Sequence, residues 1–99
     1  HTLDEVRQIE QLPFDLMGIN NRDITIFEVD DNDVANTEVL ARHCRGARIL
    51  ISESAIGCGE DVRRAGKGGA DAVLVGTAVL KAEDTGAFLE ELTAVGWPP

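Results

Sequence analysis

Two kinds of segment alternate along this 99-residue chain. Short apolar runs bounded by polar residues are typical of buried parallel strands, and apolar residues three or four positions apart indicate amphipathic helices. The predicted strands are residues 15–20, 47–52 and 70–75, and the predicted helices are residues 3–12, 34–43, 60–67, 76–81 and 85–95. Strict alternation of this kind predicts an α/β fold with a parallel sheet.

Several helix ends carry recognisable signals. Thr2 and Glu5 have the spacing of a capping box, and Pro13 is expected to end the first helix. The residues expected to face the core on the first and last helices are Leu3, Val6, Ile9, Leu12, Phe88, Leu89 and Leu92. Residues 21–33 are polar and acidic, but they include apolar side chains that we expect to pack against the rest of the protein.

Composition narrows the class of protein. Hydrophobic residues make up 43% and charged residues 27%, as in a globular domain. The chain has 9 basic and 18 acidic residues and a formal charge of -9, which argues against nucleic-acid binding because clustered cations supply most of that affinity. No apolar run approaches the roughly 20 residues that span a bilayer, and the N-terminus lacks a signal-peptide pattern. The sequence therefore predicts a cytoplasmic protein with no membrane or nucleic-acid partner.

The two cysteines and the chain start add further expectations. Cys44 and Cys58 are predicted to be free thiols, since disulfides are uncommon in the reducing cytosol. His43 and Cys44 form the only short-spaced pair of soft ligands, so no metal site is expected. The chain begins at His1 without an initiator Met, and we expect residues 1–99 to be a truncated piece of one domain.

Candidate site residues follow each predicted strand, because ligands of parallel α/β folds bind beyond the carboxyl ends of the strands. Gly76 and Thr77 would present backbone N–H groups and a hydroxyl to an anion, although a glycine at a tight turn is the alternative interpretation. Ser54 and Ala55 strengthen the phosphate interpretation, since barrel enzymes often bind phosphate between two neighbouring loops. Glu53 is either a structural partner of a cation or a site residue.

The first of these loops contains Asn20 and Arg22. These two side chains would either form hydrogen bonds and ion pairs within the turn or bind a substrate anion, for which arginine is well suited. An acidic chain that handles an anion needs such a cation.

Four blocks of sequence together resemble indole-3-glycerol phosphate synthase. They are GINNRD at residues 18–23, FEVD at 27–30, SESAI at 52–56 and GADAVLVG at 69–76. The last block is similar to other phosphate-binding barrels, whereas the first two are much more specific to this family. The match is to the family's C-terminal part and extends over nearly the whole chain.

The resemblance implies the C-terminal portion of a (β/α)8 TIM barrel, about strands 6 to 8 with their helices. The family closes the ring of 1-(2-carboxyphenylamino)-1-deoxyribulose 5-phosphate in tryptophan synthesis, losing carbon dioxide and water, with no redox or metal cofactor. It implies these roles for residues of this chain: catalytic Asn20, Glu53 and Ser54; substrate-binding Arg22 and Leu74; phosphate-binding Ser54, Ala55, Gly76 and Thr77. The partners it implies are a small phosphorylated substrate and the upstream half of the same barrel.

Two departures from the family pattern affect these expectations. The family usually has glycine where this chain has Ala55, and a Cβ atom there is expected to crowd the phosphate or alter the turn. The family's general acid, phosphate-clamping lysines and general base all precede His1 in the pattern. Removing an acid or a base typically costs about 10²- to 10⁴-fold in rate, so the chain alone is expected to be inactive.

Two other functions remain open at this point. Another ribulose-phosphate-binding barrel, such as phosphoribosylanthranilate isomerase, shares the phosphate loops but not the GINNRD block. A non-catalytic half-barrel that serves as an assembly module would fold alone in a sharp, concentration-dependent transition. Self-association of the piece is the alternative to pairing with upstream strands, because three parallel strands cannot close a barrel.

Overall fold

A computed structural model describes residues 1–22 and 33–99, and within them eight regular elements and one 3-10 turn follow one another. In chain order they are α1 (Leu3–Ile9), β1 (Phe14–Asn20), α2 (Ala35–Leu40), the 3-10 turn (Ala41–His43), β2 (Ala47–Glu53), α3 (Gly59–Gly68), β3 (Ala72–Leu74), α4 (Thr77–Lys81) and α5 (Thr85–Thr93). The predicted alternation of helix and strand is confirmed for these residues.

The three strands form one parallel sheet in the order β1, β2, β3. Successive strands of a barrel lie side by side in chain order, whereas a doubly wound sheet reverses its order at a switch point. The sheet is therefore an α/β arrangement consistent with part of a barrel.

One face of the sheet is left uncovered by the described residues. Alternation along each strand and the pairing register place eight residues on this open face: Leu16, Gly18, Asn20, Ile49, Ile51, Glu53, Ala72 and Leu74. Leu16 on β1 and Leu74 on β3 are 58% and 60% exposed, although both side chains are large and apolar. The open face thus presents apolar side chains that nothing in the described residues covers.

The opposite face packs against helices in two core clusters. The first joins α1, the α2 region and the sheet through Val6, Ile19, Leu40, Ala41, Cys44 and Leu50. The second joins α3, α5 and the loops after the strands through Val34, Ala55, Ile56, Val62, Ala65, Ala70 and Leu92. These clusters fix the helices behind the sheet and leave the carboxyl ends of the strands accessible.

The start of α1 is as predicted, but its end is not. The Thr2 hydroxyl accepts the Glu5 backbone N–H at 3.2 Å, and the Glu5 carboxylate accepts the Thr2 N–H at 2.9 Å, which completes the capping box. The helix ends at Ile9, before Pro13. Because Leu12 closes a turn onto the Ile9 carbonyl, it leaves the helical face and is 53% exposed, so its predicted core position is wrong.

Other details of the predicted elements also differ from the structure. The strand predicted at 70–75 is confined to Ala72–Leu74, because Ala70 completes the end of α3 by donating its N–H to the Ala65 carbonyl. Gly69 ends α3 with φ +121°, a left-handed conformation that favours glycine, and the predicted stop is confirmed. The predicted helix 34–43 divides into α2 and the 3-10 turn. On α5 the predicted core position of Leu89 is wrong, since this side chain is exposed.

Residues 23–32 hold the apolar side chains predicted to pack from the acidic stretch, and they lie outside the described residues. Among the helices that the structure does describe, none has the length and apolar character needed to cross a membrane.

Candidate functional site

The loops that follow β1, β2 and β3 meet at one cleft of about 340 Å³. The predicted site residues that line it are Arg22, Glu53, Ser54, Ala55, Leu74, Gly76 and Thr77. The carboxyl ends of parallel strands share one edge of the sheet, so residues far apart in sequence come together there. Ile56, Val75 and Ala78 complete the wall of the cleft.

Asn20 lies beside the cleft rather than in its wall. It pairs in register with Glu53, which pairs in turn with Leu74, so the three residues form one row across the open face. The Asn20 side-chain oxygen accepts the Arg22 backbone N–H at 2.9 Å. This hydrogen bond fixes the backbone of Arg22 relative to the end of β1.

Glu53 is half-buried, and its carboxylate lies over Gly18 of the neighbouring strand. An ideal Cβ atom at position 18 would fall only 2.6 Å from Glu53 Cδ, which shows how closely the side chain covers this glycine. None of the ion pairs within residues 1–22 and 33–99 involves Glu53. The alternative that Glu53 serves as a structural partner of a cation therefore has no support in these residues.

Ser54 and Ala55 form a turn with left-handed backbone. Their φ angles are 67° and 64°, a region that residues with a Cβ atom rarely adopt. The Ser54 N–H donates to the Leu74 carbonyl at 3.4 Å and so joins this turn to the end of β3. Ala55 is 1% exposed and belongs to the core cluster of α3 and α5, so protein atoms enclose its methyl group. The turn thus forms without the family's usual glycine.

Gly76 has a backbone that does not require glycine. Its φ is -125°, outside the left-handed region, and an ideal Cβ atom there would have no heavy atom of the described residues within 4 Å. The tight-turn interpretation is therefore not supported at this position. Thr77 begins α4 next to it and is exposed at the cleft.

A buried polar cluster behind the cleft was not predicted from the sequence. It consists of Asn21, Thr37 and Ser52, of which Thr37 and Ser52 have no exposed surface. The Thr37 hydroxyl lies 2.6 Å from the Ser52 hydroxyl, and both Thr37 donors reach the Asn21 side-chain oxygen at 3.0 Å. The available signal was a serine on the helix-facing side of an apolar strand, since such a side chain needs a buried partner.

The chain matches a known protein family over most of its length. The family described as indole-3-glycerol phosphate synthase matches residues 1–92 of the chain. The chain belongs to the indole-3-glycerol phosphate synthase family. The resemblance found in the four sequence blocks is thereby confirmed. Indole-3-glycerol phosphate synthases have a TIM-barrel fold, with which the parallel three-stranded sheet is consistent.

Individual relatives give the same result. The chain is 44% identical over 91 residues to an indole-3-glycerol phosphate synthase of Pyrococcus furiosus. The matched region covers 92% of this chain and 40% of that protein. The chain is 41% identical over 95 residues to one of Thermococcus kodakarensis, covering 96% of this chain and 41% of that protein. A third, of Albidiferax ferrireducens, is 40% identical over 94 residues, 95% of this chain and 34% of its own length. The chain thus spans between about a third and two fifths of the length of these indole-3-glycerol phosphate synthases.

Proposed function

We propose that this chain forms the phosphate-binding part of an indole-3-glycerol phosphate synthase. The complete enzyme would close the ring of 1-(2-carboxyphenylamino)-1-deoxyribulose 5-phosphate, with loss of carbon dioxide and water, in cytoplasmic tryptophan synthesis. The observation that carries this proposal is the convergence of Arg22, Glu53, Ser54, Leu74, Gly76 and Thr77 on one cleft. In this assignment the three strands are strands 6, 7 and 8 of the barrel.

The phosphate would bind between the turn of Ser54 and Ala55 and the loop of Gly76 and Thr77. The space above Gly76, where no heavy atom of residues 1–22 and 33–99 lies within 4 Å of an ideal Cβ atom, supports this assignment, because a phosphate needs close approach to the backbone. The hydroxyls of Ser54 and Thr77 would donate further hydrogen bonds to the phosphate, in addition to those of the backbone N–H groups. No metal ligand set is required for this grip.

The rest of the substrate would lie over the row of Asn20, Glu53 and Leu74. Leu74 is largely exposed on the open face and suits contact with the aromatic ring of the substrate. Arg22 lines the cleft and would bind an anionic group, for which its planar guanidinium is well suited. Asn20, Glu53 and Ser54 are the residues of this chain that we assign to catalysis.

Further strands of the same barrel are the proposed partner of the open face. Its exposed apolar residues, Leu16, Ile49 and Leu74, match the inward-facing positions that fill a barrel interior. The family's acid, base and phosphate-clamping lysines lie on those strands. A second copy of the chain is the alternative partner, and neither alternative involves nucleic acid or a membrane.

A chimeric barrel tests the proposal. In this chimera, residues 1–99 of this chain replace the matching segment of the Pyrococcus furiosus relative. We expect the chimera to convert the ribulose-phosphate substrate to indole-3-glycerol phosphate, followed by the fluorescence of the product. The 99-residue chain by itself should show no turnover, because it lacks the residues that donate and accept protons.

Controls separate assembly from chemistry. A Glu53→Gln chimera keeps the shape of the side chain and removes its charge, so it should fold equally well and turn over much more slowly. A folded chimera without turnover, with the parent relative active in the same assay, would contradict the proposed function. Turnover by the 99-residue chain alone would contradict the assignment of essential groups to other strands. A concentration-dependent folding transition of the chain alone, without activity in the chimera, would favour an assembly module.

A further inference from the structure

Asn21 is a buried residue between two residues of the proposed site, Asn20 and Arg22. Its backbone N–H donates to the Glu53 carbonyl at 2.9 Å. Its side-chain nitrogen lies 3.1 Å from the same carbonyl and 3.0 Å from the Ser54 carbonyl. One asparagine therefore holds two consecutive carbonyls, the last of β2 and the first of the following loop, against the end of β1.

The side chain of Asn21 is itself fixed from behind. Its oxygen accepts the backbone N–H and the hydroxyl of Thr37, each at 3.0 Å, and its nitrogen also reaches the Ser52 hydroxyl at 3.0 Å. All buried side-chain nitrogen and oxygen atoms of the described residues have a hydrogen-bond partner. The amide therefore has one favourable orientation, since rotating it by 180° would place its donors against the donors of Thr37.

One of the two carbonyls belongs to Ser54, the first residue of the turn whose backbone conformation is least favourable. Ser54 and Ala55 have left-handed backbone, which their Cβ atoms disfavour and which persists only where surrounding contacts enforce it. The hydrogen bonds from Asn21 act on the residues at the start of this turn. The Ser54 N–H, which donates to the Leu74 carbonyl, holds the turn from its other side.

We propose that Asn21 is a positioning residue, which holds Glu53 and the Ser54–Ala55 turn in the geometry that binds the phosphate of the substrate. This inference rests on the proposed function and adds a residue that contacts no substrate. Asn21 would act through the loop after β2, while Asn20 and Arg22 would act directly. A purely structural role would require only that the cluster fill space, and apolar residues of similar shape do this equally well.

The test uses the chimera with Asn21→Ala and measures KM, kcat and the inhibition constant of inorganic phosphate. Misplacing a binding loop by about 1 Å typically costs up to about 100-fold, so we expect KM and the phosphate inhibition constant each to rise at least about tenfold. Val6→Ala is the matched control, because Val6 is buried in α1 and belongs to the core cluster of α1 and the sheet, none of whose residues lines the cleft. It should lower the melting temperature and leave both constants within about twofold of the parent.

A second pair of variants covers the case in which Asn21→Ala does not fold. Thr37→Val keeps the side-chain shape and removes the hydroxyl that orients Asn21, whereas Thr37→Ser keeps the hydroxyl. We expect Thr37→Val to weaken phosphate inhibition and Thr37→Ser to restore it. Equal constants for these two variants, or parental constants in folded Asn21→Ala, would overturn the positioning role while the active parent chimera upholds the proposed function. An inactive parent chimera would instead contradict the proposed function itself.

Discussion

The carboxylate of Glu53 rests on Gly18, which lies diagonally across from it on the neighbouring strand of the open face. Gly18 pairs with Ile51, two residues before Glu53, so the Glu53 side chain extends back across β1. A glycine is needed at this point because any Cβ atom would occupy the space of the carboxylate. The glycine of the GINNRD block therefore determines where the acid of the SESAI block can lie.

Gly18→Ala in the chimera should lower kcat by about tenfold or more, because it displaces Glu53 from its place in the proposed site. Folding stability should not fall, since alanine in a strand interior is favoured over glycine by about 0.5–1 kcal/mol and the displaced carboxylate is the mobile end of its side chain. Gly46→Ala is the matched control, because its Cβ would make an ordinary 3.7 Å contact at the opposite end of the sheet. Equal kcat for the two variants would refute the link between Gly18 and Glu53.

Gly76→Ala tests the phosphate grip directly. The new Cβ meets no described atom within 4 Å, so the free energy of unfolding should change by less than about 1 kcal/mol. KM and the inhibition constant of inorganic phosphate should rise about tenfold, because the methyl group would occupy the space assigned to the phosphate. Gly86→Ala on α5 provides a glycine-to-alanine control with an ordinary 3.6 Å contact. Unchanged phosphate inhibition in Gly76→Ala would place the phosphate elsewhere.

The sequence predicts the arrangement of the site better than its internal geometry. Placing Arg22, Glu53 and Gly76 at one cleft required only that three parallel strands share a carboxyl edge, which the pattern of short apolar runs already indicates. The left-handed turn at Ser54 and Ala55 was not predictable, because neither residue type favours it and the contacts that hold it come from Asn21, which follows β1, and from Leu74 of β3.

Errors in the predicted core have a similar origin. Leu12 and Leu89 fit the helical period, but α1 ends before Leu12, and Leu89 lies on the side of α5 away from the core. Periodicity gives the direction of a side chain and not whether another element covers it. The Asn21 cluster illustrates the same limit, since its three residues are separated in sequence by 15 to 31 positions.

Ala55 tests how the turn tolerates a Cβ atom. Ala55→Gly would relieve about 1–2 kcal/mol of left-handed strain. It would also lose about 0.8 kcal/mol of methyl burial and about 0.4–1 kcal/mol through the more flexible unfolded chain. We therefore expect its free energy of unfolding to lie within about 1 kcal/mol of the parent chimera in urea denaturation.

Ala55→Val has the opposite expectation at the same position. A β-branched residue is strongly disfavoured at φ 64°, and its extra methyl groups would overpack the core cluster of α3 and α5. The loss of stability should exceed about 2 kcal/mol in the same denaturation experiment. A valine variant as stable as the glycine variant would mean that position 55 is not held in the left-handed turn.

The buried thiol of Cys44 is expected to make the free energy of unfolding fall as pH rises into the alkaline range. Burial raises the pKa of the Cys44 thiol above its ordinary value of 9.0, because the thiolate is poorly solvated in the core cluster of α1 and the sheet. The folded state therefore holds this proton more tightly than the unfolded state does. The resulting stabilisation is fully present below the unfolded pKa and is lost as pH rises through the folded pKa.

The measurement compares the parent chimera with Cys44→Ala by urea denaturation between about pH 7 and pH 10.5, a range that brackets an ordinary thiol pKa. We expect the parent to lose stability more steeply than Cys44→Ala above about pH 9, with a difference in slope of at most about 1.4 kcal/mol per pH unit for one proton. Groups elsewhere titrate equally in both proteins and cancel. Cys58→Ala is the control, since it leaves Cys44 in place and should keep the parental slope. Parallel curves for the parent and Cys44→Ala would show that the buried thiol does not supply the alkaline loss of stability.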